Sequence, residues 1–277
     1  MRKHEIAGAD GVRLHVRDRG PEDAPALLLI HGWSQHHMSW SKQMGGDLAD
    51  RFRLVAPDLR GHGASAKPDE AAAYDTSAPW AGDIAAIIAA LGLDRPLLVG
   101  WSMGGWVACD YLRVHGDAGI AGLVLVGSTI RMGQGAAAGV HEKRSPAVKA
   151  TGMYSEDQEA NLTATIGFLR ACFAKTPSKQ DLALMTGFNM LCPPHVRKAA
   201  RLRSEDYRPE LEALTKPALA IFGEGEKVCL PAMADEVRAA LPGGRSLSYP
   251  GCGHVPFWEN PDRFNADLAQ FATEVMS

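Results

Sequence analysis

The sequence predicts an α/β fold: a mostly parallel central sheet with helices on both faces and a helical cap. Three observations carry that expectation. Short, mostly apolar runs, at 26–30, 52–57, 96–99 and 120–126, alternate with stretches of helical periodicity. Glycine-rich turns follow them, among them His31-Gly32 and Gly100 to Gly105. The alternation lapses over 131–210, where only helical patterns occur, and resumes at Pro217.

The chain's 277 residues suffice for a substantial buried core. A hydrophobic share of 46% and a charged share of 22% are those of an ordinary globular protein. A formal net charge of −3 leaves no basic footprint for nucleic acid. No apolar run approaches the ~20 residues a membrane span needs. Met1-Arg2-Lys3-His4-Glu5 lacks an apolar signal core, so the expected setting is the cytoplasm, with no membrane partner. The cysteines, at 109, 172, 192, 229 and 252, are odd in number and scattered, with no Cys-x-x-Cys pair. They read as reduced, buried thiols.

Taken in order, residues 2–19 alternate around Asp10-Gly11 and read as a β-hairpin. Ala26 to Ile30 is a strand buried on both faces, leading into His31-Gly32-Trp33-Ser34. His36-His37 has no acid or cysteine cluster beside it in the sequence, so it reads as a solvated helix start and not a metal site. Phe52 to Pro57 is a strand followed by a tight loop, Asp58 to Ser65, in which Asp58 and Arg60 are placed to pair. Ile84, Ile87, Ile88 and Leu91 form a helical stripe stopped by Gly92. Residues 96–99 and 120–126 are further strands.

Within 131–210, Ser155-x-x-Gln158 reads as a capping box, opening a helix with the stripe Leu162, Ile166, Leu169 and Phe173. Ser178 caps the next helix, and Pro193-Pro194 precedes a basic one carrying Arg197, Lys198, Arg201 and Arg203. Gly133 to Gly139 reads as a mobile hinge. The division expected is a core of 1–130 and 211–277, with 131–210 as a cap or lid. After it come a strand over 217–222, a helix opened by Pro231, and a strand over 246–249. A last helix, begun by Asn260 and Pro261, carries the stripe Phe264, Leu268, Phe271 and Val275.

The chemistry centres on Gly100-Trp101-Ser102-Met103-Gly104-Gly105. A buried strand ends there and a helical pattern begins, so Ser102 occupies a sharp strand-to-helix turn that exposes its hydroxyl. The new helix offers unpaired N–H groups to a developing anion. The amides of Met103 and of Trp33, just after Gly32, are the expected oxyanion donors. A serine needs a base, and His254 lies in a glycine-flanked loop. An acid near 224–226, either Glu224 or Glu226, is available to orient the imidazole.

Those motifs, with Asp58-Leu59-Arg60-Gly61-His62-Gly63 and Phe257-Trp258-Glu259, resemble the α/β-hydrolase superfamily along nearly the whole chain. The resemblance is greatest to its serine-nucleophile esterases and non-haem chloroperoxidase-like members. The resemblance implies the α/β-hydrolase fold and a triad in the order nucleophile, acid, histidine. It places the acid three residues after the glycine ending the seventh strand, where the family usually has Asp and this chain has Glu226. The implied triad is Ser102, Glu226 and His254.

The expected activity is hydrolysis of a small, mostly apolar carboxylic ester or lactone through an acyl-enzyme, with no metal and no cofactor. Trp101, Trp258, Phe168 and Phe188 are expected around a small-molecule pocket. Competing expectations on the same pocket are acyl transfer, perhydrolysis, cofactor-free oxygenation with His254 as base, and a ligand receptor. Oligomeric state is not encoded in any pattern found.

Overall fold

Eight strands make one sheet: β1 (Arg2–Ala7), β2 (Arg13–Arg19), β3 (Ala26–Ile30), β4 (Arg53–Pro57), β5 (Leu97–Trp101), β6 (Gly122–Val126), β7 (Ala218–Gly223) and β8 (Arg245–Tyr249). They come from a computed structural model that describes residues 1–133, 150–241 and 243–276. The spatial order is β1-β2-β4-β3-β5-β6-β7-β8. In the N-terminal hairpin β2 runs antiparallel to both β1 and β4, and β3 to β8 are parallel. Every residue of β3, β4, β5, β6 and β7 is buried, because helices cover both faces. The edge strands β1 and β8 are mostly polar and partly exposed.

Two helices lie against this sheet and each other: α1 (Ser77–Ala90) and α2 (Met103–His115). Ile84 and Ile87 of the expected α1 stripe are buried, and Gly92 takes a positive φ of 58° just past its end. Because β4 and β5 lie on opposite sides of β3, the chain switches direction there. The carboxyl ends of β3 and β5 flank the crevice that such a switch opens. The last helix, Pro261–Met276, buries Phe264, Leu268 and Phe271, and Asn260 Oδ1 accepts from Arg263 N at its start. All five cysteines are buried and unbridged.

Residues 150–210 are mainly helical: α3 (Gln158–Ala171), α4 (Lys179–Asn189) and α5 (Pro194–Arg201). A two-residue ribbon, Arg131–Met132 with Glu205–Asp206, is the only strand pairing among the described residues of 131–210. Beyond Gly133, the expected hinge to Gly139 lies outside the described residues.

Four local expectations are corrected. The cap of α3 is Asp157, whose carboxylate accepts from Ala160 N at 2.8 Å; Ser155 accepts from Asp157 N instead. Leu162 is exposed, and the buried side of α3 holds Asn161 and Thr165 beside Phe168 and Leu169. Those polar groups face inward because Arg197 is fully buried and donates to Asn161 Oδ1 at 2.6 Å and Asn189 O at 2.6 Å. Asp58 and Arg60 do not pair: Arg60 reaches Asp83 on α1 at 2.7 and 2.8 Å. His36 and His37 start a short helical turn but are not solvated, since both lie against Asp58, a residue distant in sequence.

The Arg60–Asp83 pair is 1% exposed or less on both sides and ties the loop after β4 to α1. Removing one partner of such a pair strands a buried charge. Arg60→Ala is expected to lower the urea-unfolding free energy by about 3–5 kcal/mol. Arg245→Ala, which breaks a half-exposed pair with Glu274, should cost under about 1 kcal/mol.

Candidate active site

Ser102 sits between β5 and α2 with φ 53° and ψ −118°, a left-handed backbone that an L-residue adopts only when its surroundings impose it. The imposition is visible atom by atom. Ser102 N donates to Val126 O at 2.9 Å, and Ser102 O accepts from Gly105 N and from Ser128 Oγ. Gly104 lets the helix press onto β3, since a side chain there would run into the Ile30 carbonyl. The side chain of Ser102 is left half-buried at the carboxyl edge of the sheet.

The loop after β3 lies directly beside it, for a Cβ on Gly32 would stand 3.3 Å from Ser102 Cβ. Two neutral imidazoles hold that loop. His31 Nε2 accepts from Leu59 N at 3.0 Å and its Nδ1 faces Gly32 O at 2.8 Å. His62 Nε2 accepts from Ser34 N at 3.1 Å and its Nδ1 faces Arg60 O at 2.8 Å. Each ring therefore donates from Nδ1 and accepts at Nε2, which only the neutral form can do. Burial keeps them neutral: it pushes His62 down to about 4 and His31 well below its ordinary value. Among the described residues, neither Trp33 N nor Met103 N donates to another protein group.

His254 N donates to Cys172 O at 2.8 Å, and Trp101 Nε1 donates to His254 O at 2.8 Å. The imidazole Nδ1 lies 2.7 Å from Glu226 Oε2. With the carboxylate accepting, Nδ1 carries the proton and Nε2 the lone pair. Glu226 Oε1 accepts from Val228 N at 2.7 Å, so both carboxylate oxygens are engaged. Its side chain is 4% exposed, whereas Glu224 is exposed. Of the two acids the sequence offers, Glu226 meets the imidazole. Gly127, at φ 51°, leaves room for the ring: a Cβ in its place would stand only 3.0 Å from His254 Nδ1.

Three residues around this pair were not assigned from the sequence. Glu259 accepts from Gly253 N at 2.6 Å and Ala174 N at 2.9 Å, tying the His254 loop to the segment after α3. Cys229 Sγ donates to Gly127 O at 3.0 Å, and its sulfur could share a metal ion with Glu226 and His254. Ser128 braces Ser102. The signals were thin: the Phe257-Trp258-Glu259 motif gives Glu259 no role by itself, and Cys229 and Ser128 have no pattern of their own.

Phe168 meets Trp33 edge-on at 5.5 Å between ring centroids, and Phe188 stacks on His36 at 5.6 Å. Phe168 and Phe188 thus both meet the loop after β3, as does Tyr154, edge-on to Trp33 at 6.0 Å. Trp101 packs against His254 at 5.6 Å and Phe257 at 4.9 Å, and Trp258 takes Lys42 over its ring at 4.9 Å.

Residues 27–267 match the alpha/beta hydrolase family. The chain belongs to that family. This hydrolase is 29% identical to the AB hydrolase superfamily protein YisY of Bacillus subtilis, over 97% of this chain and 98% of that one. It is 28% identical to the bifunctional esterase/perhydrolase DCH of Acinetobacter calcoaceticus, over 96% and 98%. Among solved structures it resembles the esterase RhEst1 from Rhodococcus sp. ECU1013, with a TM-score of 0.91, 34% identity and coverage of 99% and 100%. No helix among the described residues is long and apolar enough to cross a membrane.

The buried imidazoles set a pH dependence. An unfolded histidine takes its proton near ~6.5, but folded His62 resists it until about 4. The unfolded state therefore binds more protons in that window, and stability falls as pH drops through it. Each such group contributes a slope of about 1.4 kcal/mol per pH unit. Urea unfolding of His62→Gln between those limits should show a slope shallower than wild type by about that amount.

Proposed function

We propose that this hydrolase cleaves a small, mostly apolar carboxylic ester or lactone through an acyl-enzyme on Ser102. The observation that carries the reading is the pairing of two features at one sheet edge. A serine is held in a strained strand-to-helix turn, and a histidine–glutamate pair is bonded at 2.7 Å.

In the first half-reaction Ser102 Oγ attacks the ester carbonyl as its proton passes to His254 Nε2. Glu226 steadies the imidazolium that forms. The carbonyl oxygen becomes an oxyanion, met by the amides of Trp33 and Met103. Collapse expels the alkoxide, which takes the proton from His254 and leaves as an alcohol; for a lactone it stays attached. In the second half-reaction water gives its proton to His254 and attacks the acyl-enzyme. The carboxylic acid leaves and Ser102 is restored. No step calls on a metal or cofactor.

We assign residues 131–210 to a cap over this site, with Phe168 and Phe188 on its apolar wall and Trp101 and Trp258 backing it. The contacts of Phe168 with Trp33 and of Phe188 with His36 support that placing. The cytoplasm is the proposed setting. A second reading, perhydrolysis, draws on the relative with both activities. There hydrogen peroxide, in place of water, attacks the same acyl-enzyme and gives a peracid.

Kinetics on p-nitrophenyl esters of rising chain length test the reading. Short acyl chains should be turned over well above background. Ser102→Ala should lose at least about 10⁴-fold in kcat with its fold intact. A flat response across the series, or turnover surviving in that variant, contradicts the proposal.

A further inference from the structure

Four aspartates are buried among the described residues, at 18, 58, 83 and 110. Asp18 pairs with Arg2 and Arg53, Asp83 with Arg60 and Asp110 with Arg203. Asp58 faces imidazoles instead. His37 Nδ1 lies 2.8 Å from its Oδ1, and His36 Nε2 lies 3.5 Å from its Oδ2. Its Oδ1 also accepts from His37 N at 2.9 Å.

His15 completes the group. It comes from β2, His37 from the loop after β3 and Asp58 from the loop after β4, and one donor atom of each lies within 4.8 Å of the others. A separate feature points to a ligand: His15 Nδ1 is bonded to Glu5 Oε1 at 2.8 Å, leaving Nε2 as the lone pair. A carboxylate behind a histidine is the arrangement that orients imidazoles on metals and raises their basicity.

We propose that His15, His37 and Asp58 form a binding site for a divalent transition ion of the zinc class. Two imidazoles and one carboxylate, without a thiolate, suit zinc, cobalt or nickel, not magnesium or calcium. On a tetrahedral ion with bonds of ~2.0–2.1 Å, donor atoms stand roughly 3.3 Å apart. The His37–Asp58 contact, 2.8 Å here, must open by about half an ångström to match. The ion takes the place of the proton between them, His37 carries its one ring proton on Nε2 instead and stays neutral, and water fills the fourth position. Asp58 keeps its bond from Ala64 N at 2.9 Å. Once bound, the ion cross-links the hairpin, the loop carrying Trp33 and the loop after β4. This site does not depend on the reading of Ser102.

Tag-free protein stripped with a chelator and titrated with cobalt and zinc tests it. One cobalt per chain with visible d–d bands and no sulfur charge-transfer band is expected, as is a zinc-dependent rise in Tm. His15→Ala and His37→Ala should each lose both signals, and Glu5→Ala should weaken binding about 10-fold. No stoichiometric binding by wild type, or binding retained by either histidine variant, overturns the proposal. Zinc X-ray absorption on the wild type needs no variant. A first shell of nitrogen and oxygen with imidazole scattering supports the site, and a sulfur neighbour, which would put the ion at Cys229, overturns it.

Discussion

The left-handed backbone of Ser102 is the constraint on which the remaining arrangement rests. Holding an L-residue there costs of order 1–3 kcal/mol, and it lasts only where the neighbours leave no alternative. Here β5 is locked between β3 and β6, and α2 is pressed against the Ile30 carbonyl at Gly104. The chain must cross from strand to helix within one residue. Its amide and carbonyl are both satisfied by protein groups. Only the hydroxyl is left to face outward, so the strain is converted into position.

Everything near that hydroxyl is held by groups that are themselves held. His31 and His62 bridge the loop after β3 to the loop after β4, and they can do so only while neutral. Burial supplies that neutrality. On the other side, the His254 loop is fixed at its backbone by Cys172, Trp101 and Glu259. The imidazole is then free to vary only in how it faces Glu226. The same residues 172–174 meet both the His254 loop and, through Lys227, the turn that carries Glu226. Residues 172–174 are therefore mechanically continuous with the bonded His254–Glu226 pair.

Much of this was legible because it is local. Ser102 declares itself by an apolar run, two glycines and a helical period within about ten residues. The strands declare themselves by mostly apolar character, which double-sided burial demands. Local pattern left Glu224 and Glu226 open; the family resemblance pointed to Glu226, and in the structure Glu226 is the one bonded to His254 while Glu224 is exposed. What escaped was set by partners far along the chain. Nothing near His36-His37 announces Asp58, and nothing near Asp58 announces that Arg60 belongs to Asp83. On α3, apolar periodicity pointed Leu162 inward, yet the buried Arg197 demands oxygen acceptors, so Asn161 and Thr165 took the inner face. A charge placed in the interior outranks apolar periodicity at Leu162, because an unsolvated guanidinium must be met by hydrogen bonds.

The most direct measurement of the central claim is mass mapping after incubation with a fluorophosphonate. That reagent phosphonylates only a serine whose proton has somewhere to go. The account predicts a single adduct on Ser102 in wild type and slow or no labelling in His254→Ala. An unlabelled Ser102, or labelling that proceeds equally without the imidazole, would contradict it.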